Sequence, residues 1–246
     1  MVDPRISIID KRLSKINTII AISSAKGGVG KSLISSVLAL ILSKNGKKVG
    51  LLDLDFTSPS THIILGIKSG YPKEKNGIVP PQINGIKYMS IVYYSKDKPT
   101  PFRGTDFTNS FLELLSITKW GKLDYLLIDM PPGIGDATLD LIRFIKSTKF
   151  LIIATPSSLA LSTVKKLIEL LKSVNMPIIG VIENMKTSRT KTITREIEQN
   201  NTTFLGSIDY DDEIEKSIGK TQKLISTRFA TNLNKIVERT PFQCLY

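Results

Sequence analysis

One cysteine and one histidine stand in 246 residues, and each scarcity closes off a class of function. Cys244 alone cannot close an internal disulfide, and with no CxxC pair or Cys/His cluster there is no structural zinc site. A solitary His62 rules out a histidine metal triad and a Ser-His-Asp hydrolase. No apolar run reaches the ~18–20 residues that cross a bilayer. The opening MVDPRISIIDKRLSKIN breaks its isoleucines with charges and has no signal-peptide core, so a cytoplasmic location is expected. Acid is scarce too: 22 Asp and Glu against 34 Lys and Arg leave a net charge of +12. Between Arg143 and Lys191 nine basic side chains face only Glu169 and Glu183. Such a stretch is read either as a lysine-rich solvated surface or as a contact for nucleic acid or anionic lipid.

With 41% hydrophobic and 23% charged residues, the chain has the composition of a folded globular protein. Neither a repeat nor a long linker divides it. Apolar runs alternate with helix-periodic stretches, the pattern of βαβ units. Strands are expected at Thr18–Ser24, Lys48–Asp53, Ile86–Tyr94, Tyr125–Asp129, Phe150–Thr155 and Ile178–Ile182. Helices are expected at Ser32–Lys44, Asp136–Lys146, Ser158–Val174, Thr192–Gln199 and Arg228–Glu238, with Gly66–Gly85 as a surface loop. Runs such as YLLID and FLIIAT are apolar up to their last position, which suits strands covered on both faces. The expected fold is a single α/β domain, a mostly parallel sheet with helices on both faces, over 18–246; residues 1–17 form a helical or extended preamble.

Residues 25–32 read AKGGVGKS and lie between an apolar strand and an amphipathic helix. In that context the sequence is a phosphate-binding loop. Gly27, Gly28 and Gly30 lack Cβ atoms, so successive backbone N–H groups, with those of Val29 and Leu33, can curl around phosphate oxygens. Lys31 brings a charge to the β- and γ-phosphates, and the Ser32 hydroxyl suits Mg²⁺. A dinucleotide loop needs G-x-G-x-x-G/A, and Gly28-Val29-Gly30 is followed by Lys31, Ser32 and Leu33. That alternative fails.

Two apolar runs end in aspartate, GLLDLD at 50–55 and YLLIDMPPG at 125–133. Ligands of an open α/β sheet bind at the carboxyl ends of its strands, where such carboxylates can hold Mg²⁺. Asp129 and, less directly, Asp53 are the metal candidates, and Asp55 is the candidate to orient an attacking water. Pro131-Pro132-Gly133-Ile134-Gly135-Asp136 makes a stiff-then-flexible turn that can respond to a γ-phosphate, with Asp136 capping the next helix. No substrate-binding Asp/Arg set of a small-molecule kinase is evident, so water is the expected acceptor.

With its extra lysine, Lys26, KGGVGKS resembles the deviant Walker A motif of MinD/ParA-like ATPases. More closely, the chain is similar to the Mrp/ApbC branch, the nucleotide-binding proteins of iron–sulfur cluster assembly. The resemblance rests on RLSKIN, LLDLDFTSPS, DYLLIDMPPGIGDATL, ATPSSLALSTVKK, PIIGVIENM and, in outline, LGSIDYDDEI, and covers essentially the whole chain. It implies an ATP-sandwich homodimer binding ATP and Mg²⁺, with Lys26 reaching the partner's nucleotide, Asp55 orienting water, Asp129 near Mg²⁺ and Asn184 on adenine. Iron–sulfur assembly factors or apo-target proteins are the implied partners. After the ENM triplet, where cluster carriers have a CxxC, this chain reads KTSRTKTITRE. A [4Fe–4S] cluster takes four thiolates, and a dimer of this chain offers two, both Cys244. The competing reading is a ParA- or MinD-like organiser that binds DNA or membrane as an ATP-bound dimer.

Overall fold

A strand that is apolar at every position must be covered twice, and the sheet satisfies that demand. The computed structural model describes residues 3–95, 105–187 and 193–240. Among them the strands are β1 (Ile16–Ser23), β2 (Val49–Asp53), β3 (Lys73–Glu74), β4 (Ile78–Val79), β5 (Gln82–Ile83), β6 (Ile86–Ser90), β7 (Leu123–Asp129), β8 (Thr148–Ala154), β9 (Ile178–Lys186) and β10 (Phe204–Asp209). The helices are α1 (Arg5–Leu13), α2 (Lys31–Lys44), α3 (Thr61–Ile64), α4 (Val92–Ser95), α5 (Thr105–Ile117), α6 (Asp136–Phe144), α7 (Ser158–Ser173), α8 (Thr194–Glu198), α9 (Thr221–Ile225) and α10 (Arg228–Arg239).

Eight strands form one sheet in the order β10-β9-β8-β1-β7-β2-β6-β5, parallel throughout except for the β5–β6 edge hairpin. Alternate residues divide between two cores. Ile19 and Ala21 of β1, Leu126 and Ile128 of β7, and Phe150 and Ile152 of β8 join α1, α5, α6 and α7. Ile20 and Ile22, Leu127, Leu151 and Ile153 join α2, α9 and α10 on the other face. The α2 helix is buried at every position from Ile34 to Leu42, as expected of a helix wedged between a sheet and further helices. Ile9 and Leu13 of α1 lie in the first core, so the segment before β1 packs into the body of the domain.

The expected architecture of one α/β domain with a helix-covered, mostly parallel sheet is what the structure contains. Five local expectations need correction. The strand expected through Tyr94 stops at Ser90, and Val92–Ser95 is helical. Gly66–Gly85 is not all loop: β3 and β4 pair as a small ribbon and β5 extends the main sheet. The strand expected to end at Ile182 continues to Lys186, which keeps Glu183 and Asn184 on β9. Asp136 does not cap α6; Gly135 holds that place and Asp136 sits in the first turn, where its charge still favours the helix's positive end. The helix expected to begin at Thr192 starts at Thr194, with Thr192 outside the described residues.

Candidate functional site

Strand β1 ends at Ser23 and α2 begins at Lys31, so the glycine-rich segment between them turns at the carboxyl edge of the sheet. Gly28 and Gly30 hold φ angles of +77° and +81°, a left-handed conformation that favours glycine. A Cβ on Gly30 would come within 2.3 Å of Asn184 Nδ2. That same amide donates to the Val29 carbonyl at 2.8 Å, so buried Asn184 clamps the loop from the end of β9. On the other flank, Gly133 N–H donates to the Ser24 carbonyl at 2.8 Å, and Ser24 Oγ donates to the Lys26 carbonyl at 3.0 Å. The Pro-Pro-Gly turn is thereby tied to the phosphate loop. Gly30→Ala, which meets both an unfavourable φ and the Asn184 amide, is expected to weaken Mg·ADP binding at least about tenfold in calorimetry.

Beneath the loop lies a buried ionic cluster. Lys31 Nζ is 2.8 Å from Asp129 Oδ1, with the two side chains 6% and 0% exposed. Ser35 Oγ donates to the same oxygen at 2.8 Å, and Lys31 Nζ lies 3.3 Å from Ser32 Oγ. Asp129 Oδ2 is buried and has no hydrogen-bond partner among the described residues. An unsatisfied carboxylate oxygen is costly to bury, and it suits a cation or its bound water. Asp129, together with the Ser32 hydroxyl, therefore fits Mg²⁺.

Asp53 is the direct cross-strand neighbour of Asp129 in the β2–β7 register. Its oxygens are already engaged. Oδ1 accepts from Asp55 N–H at 3.1 Å, and Oδ2 accepts from Thr61 N–H at 3.2 Å and Thr61 Oγ1 at 2.5 Å. Complete burial, and then the Asp129 charge, push its pKa up to about 7, against the opposing Thr61 hydroxyl bond. Its geometry is that of a brace for the strand end carrying Asp55. Because its pKa of about 7 in the folded state exceeds the ordinary 3.8, the folded chain binds this proton more tightly than the unfolded one. Asp53 therefore costs stability progressively as pH rises between those values. Asp53→Asn is expected to flatten that decline, read as urea midpoints of nucleotide-free protein at about pH 5 and about pH 7.5.

Asp55 is 8% exposed and accepts from Ser58 N–H at 3.0 Å. With Gly27–Leu33, Ser60 and Pro132 it lines a cavity of about 260 Å³. Lys26 is exposed. The sequence candidates Lys31, Ser32, Asp53, Asp55, Asp129 and Asn184 thus gather at one sheet edge. Sequence reasoning passed over Ser35 and Thr61. Ser35 stands one helical turn past Lys31, a spacing that could have pointed to it; Thr61 had no such signal.

A backbone cradle at a helix start, a lysine inside it and an aspartate on the adjacent strand define a P-loop NTPase. A family model described as "ParA: NUBPL iron-transfer P-loop NTPase" matches residues 15–241, and the chain belongs to that family. It is 40% identical over 177 residues to the "Iron-sulfur cluster carrier protein" of Pseudomonas fragi, covering 70% of this chain and 62% of that protein. Of a second such relative, from Aquifex aeolicus, the chain covers 49%, so it spans only part of the length of these relatives. Among solved structures it is similar to a nucleotide-binding protein from Archaeoglobus fulgidus in complex with ADP, with a TM-score of 0.76, 32% identity, and coverage of 89% of this chain and 92% of that one. The cell division ATPase MinD of Pyrococcus furiosus shares the fold at a TM-score of 0.67 and 21% identity, over 90% of this chain and 97% of that one.

Proposed function

We propose that the chain is an ATP-hydrolysing, dimeric switch of the Mrp/ApbC type that serves iron–sulfur cluster assembly. The observation that carries this reading is the Lys31–Asp129–Ser35 cluster directly under a glycine loop whose cavity Asp55 also lines. Gly27–Leu33 would cradle the β- and γ-phosphates with backbone N–H groups, helped by the positive end of α2. Lys31 would neutralise phosphate charge, Ser32 and Asp129 would hold Mg²⁺, and Asp53 would brace Asp55 as it orients the attacking water. Bound Mg²⁺ supplies charge neutralisation across the phosphate oxygens. Lys26, exposed beside the cavity, is suited to meeting the nucleotide of a second copy. Asn184 keeps the loop in shape, and an adenine contact from the same residue is part of the proposal.

The names of the relatives support an iron–sulfur role. Yet one cysteine per copy gives two thiolates per dimer, half of what a [4Fe–4S] cluster takes. Cys244 lies outside the described residues. We therefore assign the chain the switch, and not a four-thiolate carrier site. Asp55→Ala is expected to bind Mg·ATP and accumulate as the dimer on size-exclusion chromatography, with hydrolysis reduced at least about a hundredfold. An Asp55→Ala variant that hydrolyses ATP at the parental rate would reject this assignment.

The basic stretch Arg143–Lys191 favours a second reading, a DNA-binding organiser. Lys166 and Lys172 of α7 are exposed. Its signature would be an ATP-dependent gel shift that weakens steeply with salt, and its absence at low salt eliminates the reading.

A further inference from the structure

A larger cavity than the phosphate site lies at the opposite end of the sheet. It measures about 780 Å³ and is bounded by α1 and the turn that leads from α5 into β7. Its lining includes Lys11, Arg12, Lys15 and Lys119, with Ile8 and Trp120 as apolar wall. β7 separates it from Asp129 by roughly 20 Å, six steps at about 3.3 Å each.

Four cations therefore converge on one cavity, and no ion pair is found for any of them among the described residues. Two are held in place. Arg12 Nε donates to the Ser116 carbonyl at 3.3 Å, and Lys119 Nζ donates to the Lys75 carbonyl at 2.7 Å; both residues are half-buried. Lys11 of α1 and Lys15 in the turn that follows it are exposed at the rim. Lys87 adds charge just behind, donating to the Trp120 carbonyl, and its pKa is lowered by burial and by Lys48. No acid lines this cavity among the described residues; Asp10, next to Lys11 in sequence, lines a separate cavity with Arg143 and Lys146, and Asp124 at the start of β7 is engaged by the Lys48 N–H at 2.7 Å. Trp120 is fully buried in the cavity wall, where a change in nearby charge alters its emission.

We propose that this cavity binds a small polyanion carrying two or more phosphate groups, at a site separate from the nucleotide site. Positioned cations without carboxylates attract dense negative charge, and charge-assisted bonds to phosphate oxygens are the strong kind. The volume lies within the ~300–1,000 Å³ of small-ligand pockets. A nucleic-acid backbone would call instead for an extended basic surface.

The test uses Trp120, the one tryptophan of the chain, as its own reporter. Full-length protein first saturated with Mg·ADP, so that the phosphate loop is filled, is titrated with inorganic pyrophosphate while tryptophan emission is followed. A saturable change with sub-millimolar half-saturation is expected, absent with sodium chloride at equal ionic strength. Lys11→Ala/Lys15→Ala should raise the half-saturation at least about tenfold, with Mg·ADP affinity and far-ultraviolet dichroism unchanged. Lys11→Arg/Lys15→Arg should retain it. The proposal is overturned by no saturable change, by an unaltered curve in the double alanine variant, or by a response to oligonucleotide or acidic peptide but not to pyrophosphate.

Discussion

Lys31→Ala is expected to abolish measurable Mg·ATP binding and, unusually for a binding-site substitution, to destabilise the nucleotide-free protein by about 3–5 kcal/mol. The first effect follows from removing the charge that the loop presents to phosphate. The second follows from the ion pair beneath the loop. Asp129 is wholly buried, Lys31 is its one cationic partner within 4 Å among the described residues, and its second oxygen is already unpartnered. Removing the ammonium leaves a bare carboxylate with the Ser35 hydroxyl as its remaining donor. Urea unfolding of Lys31→Ala, Asp129→Asn and the double variant separates the terms. The double variant should recover much of the loss, because an amide costs far less to bury than a charge. An unchanged urea midpoint for Lys31→Ala would mean that the pair contributes nothing to the folded state.

Lys26→Ala is expected to leave Mg·ATP affinity within about threefold of the parent while cutting hydrolysis by about 10³ or more. The reasoning is positional. Lys26 belongs to the glycine segment but is exposed, whereas Lys31 is buried in the ionic cluster, so the two lysines sit in different surroundings. A cation delivered from a second copy acts on the charge that develops during transfer, and so bears on rate more than on ground-state binding. Single-turnover hydrolysis and calorimetry on the same preparation measure the two quantities. Normal hydrolysis by Lys26→Ala would remove the trans-acting role.

The phosphate loop and the covered parallel sheet were legible in the sequence for physical reasons. AKGGVGKS needs glycine where φ is positive, and Gly28 and Gly30 are left-handed. Strands buried on both faces read as unbroken apolar runs, as at β7 and β8. What stayed hidden depends on contacts distant in sequence. Asp53 was legible as a carboxylate ending an apolar strand, but the engagement of its oxygens by Thr61 and the Asp55 amide was not. The grip of Asn184 on the Val29 carbonyl spans 155 positions, and no local pattern announces it. The β5–β6 hairpin was missed because its strands are short and its turn residues, Asn84-Gly85, sit inside a stretch rich in glycine, proline and lysine.

The occupied state of Lys31 has a consequence for which visitors the cradle admits. An anion arriving without a cation of its own would have to draw the ammonium away from Asp129, stranding a carboxylate in a dry interior. A nucleotide that brings its metal leaves that carboxylate a new counter-charge. Pairing Lys31 with Asp129 thus favours a ligand that arrives with its own cation over bare phosphate.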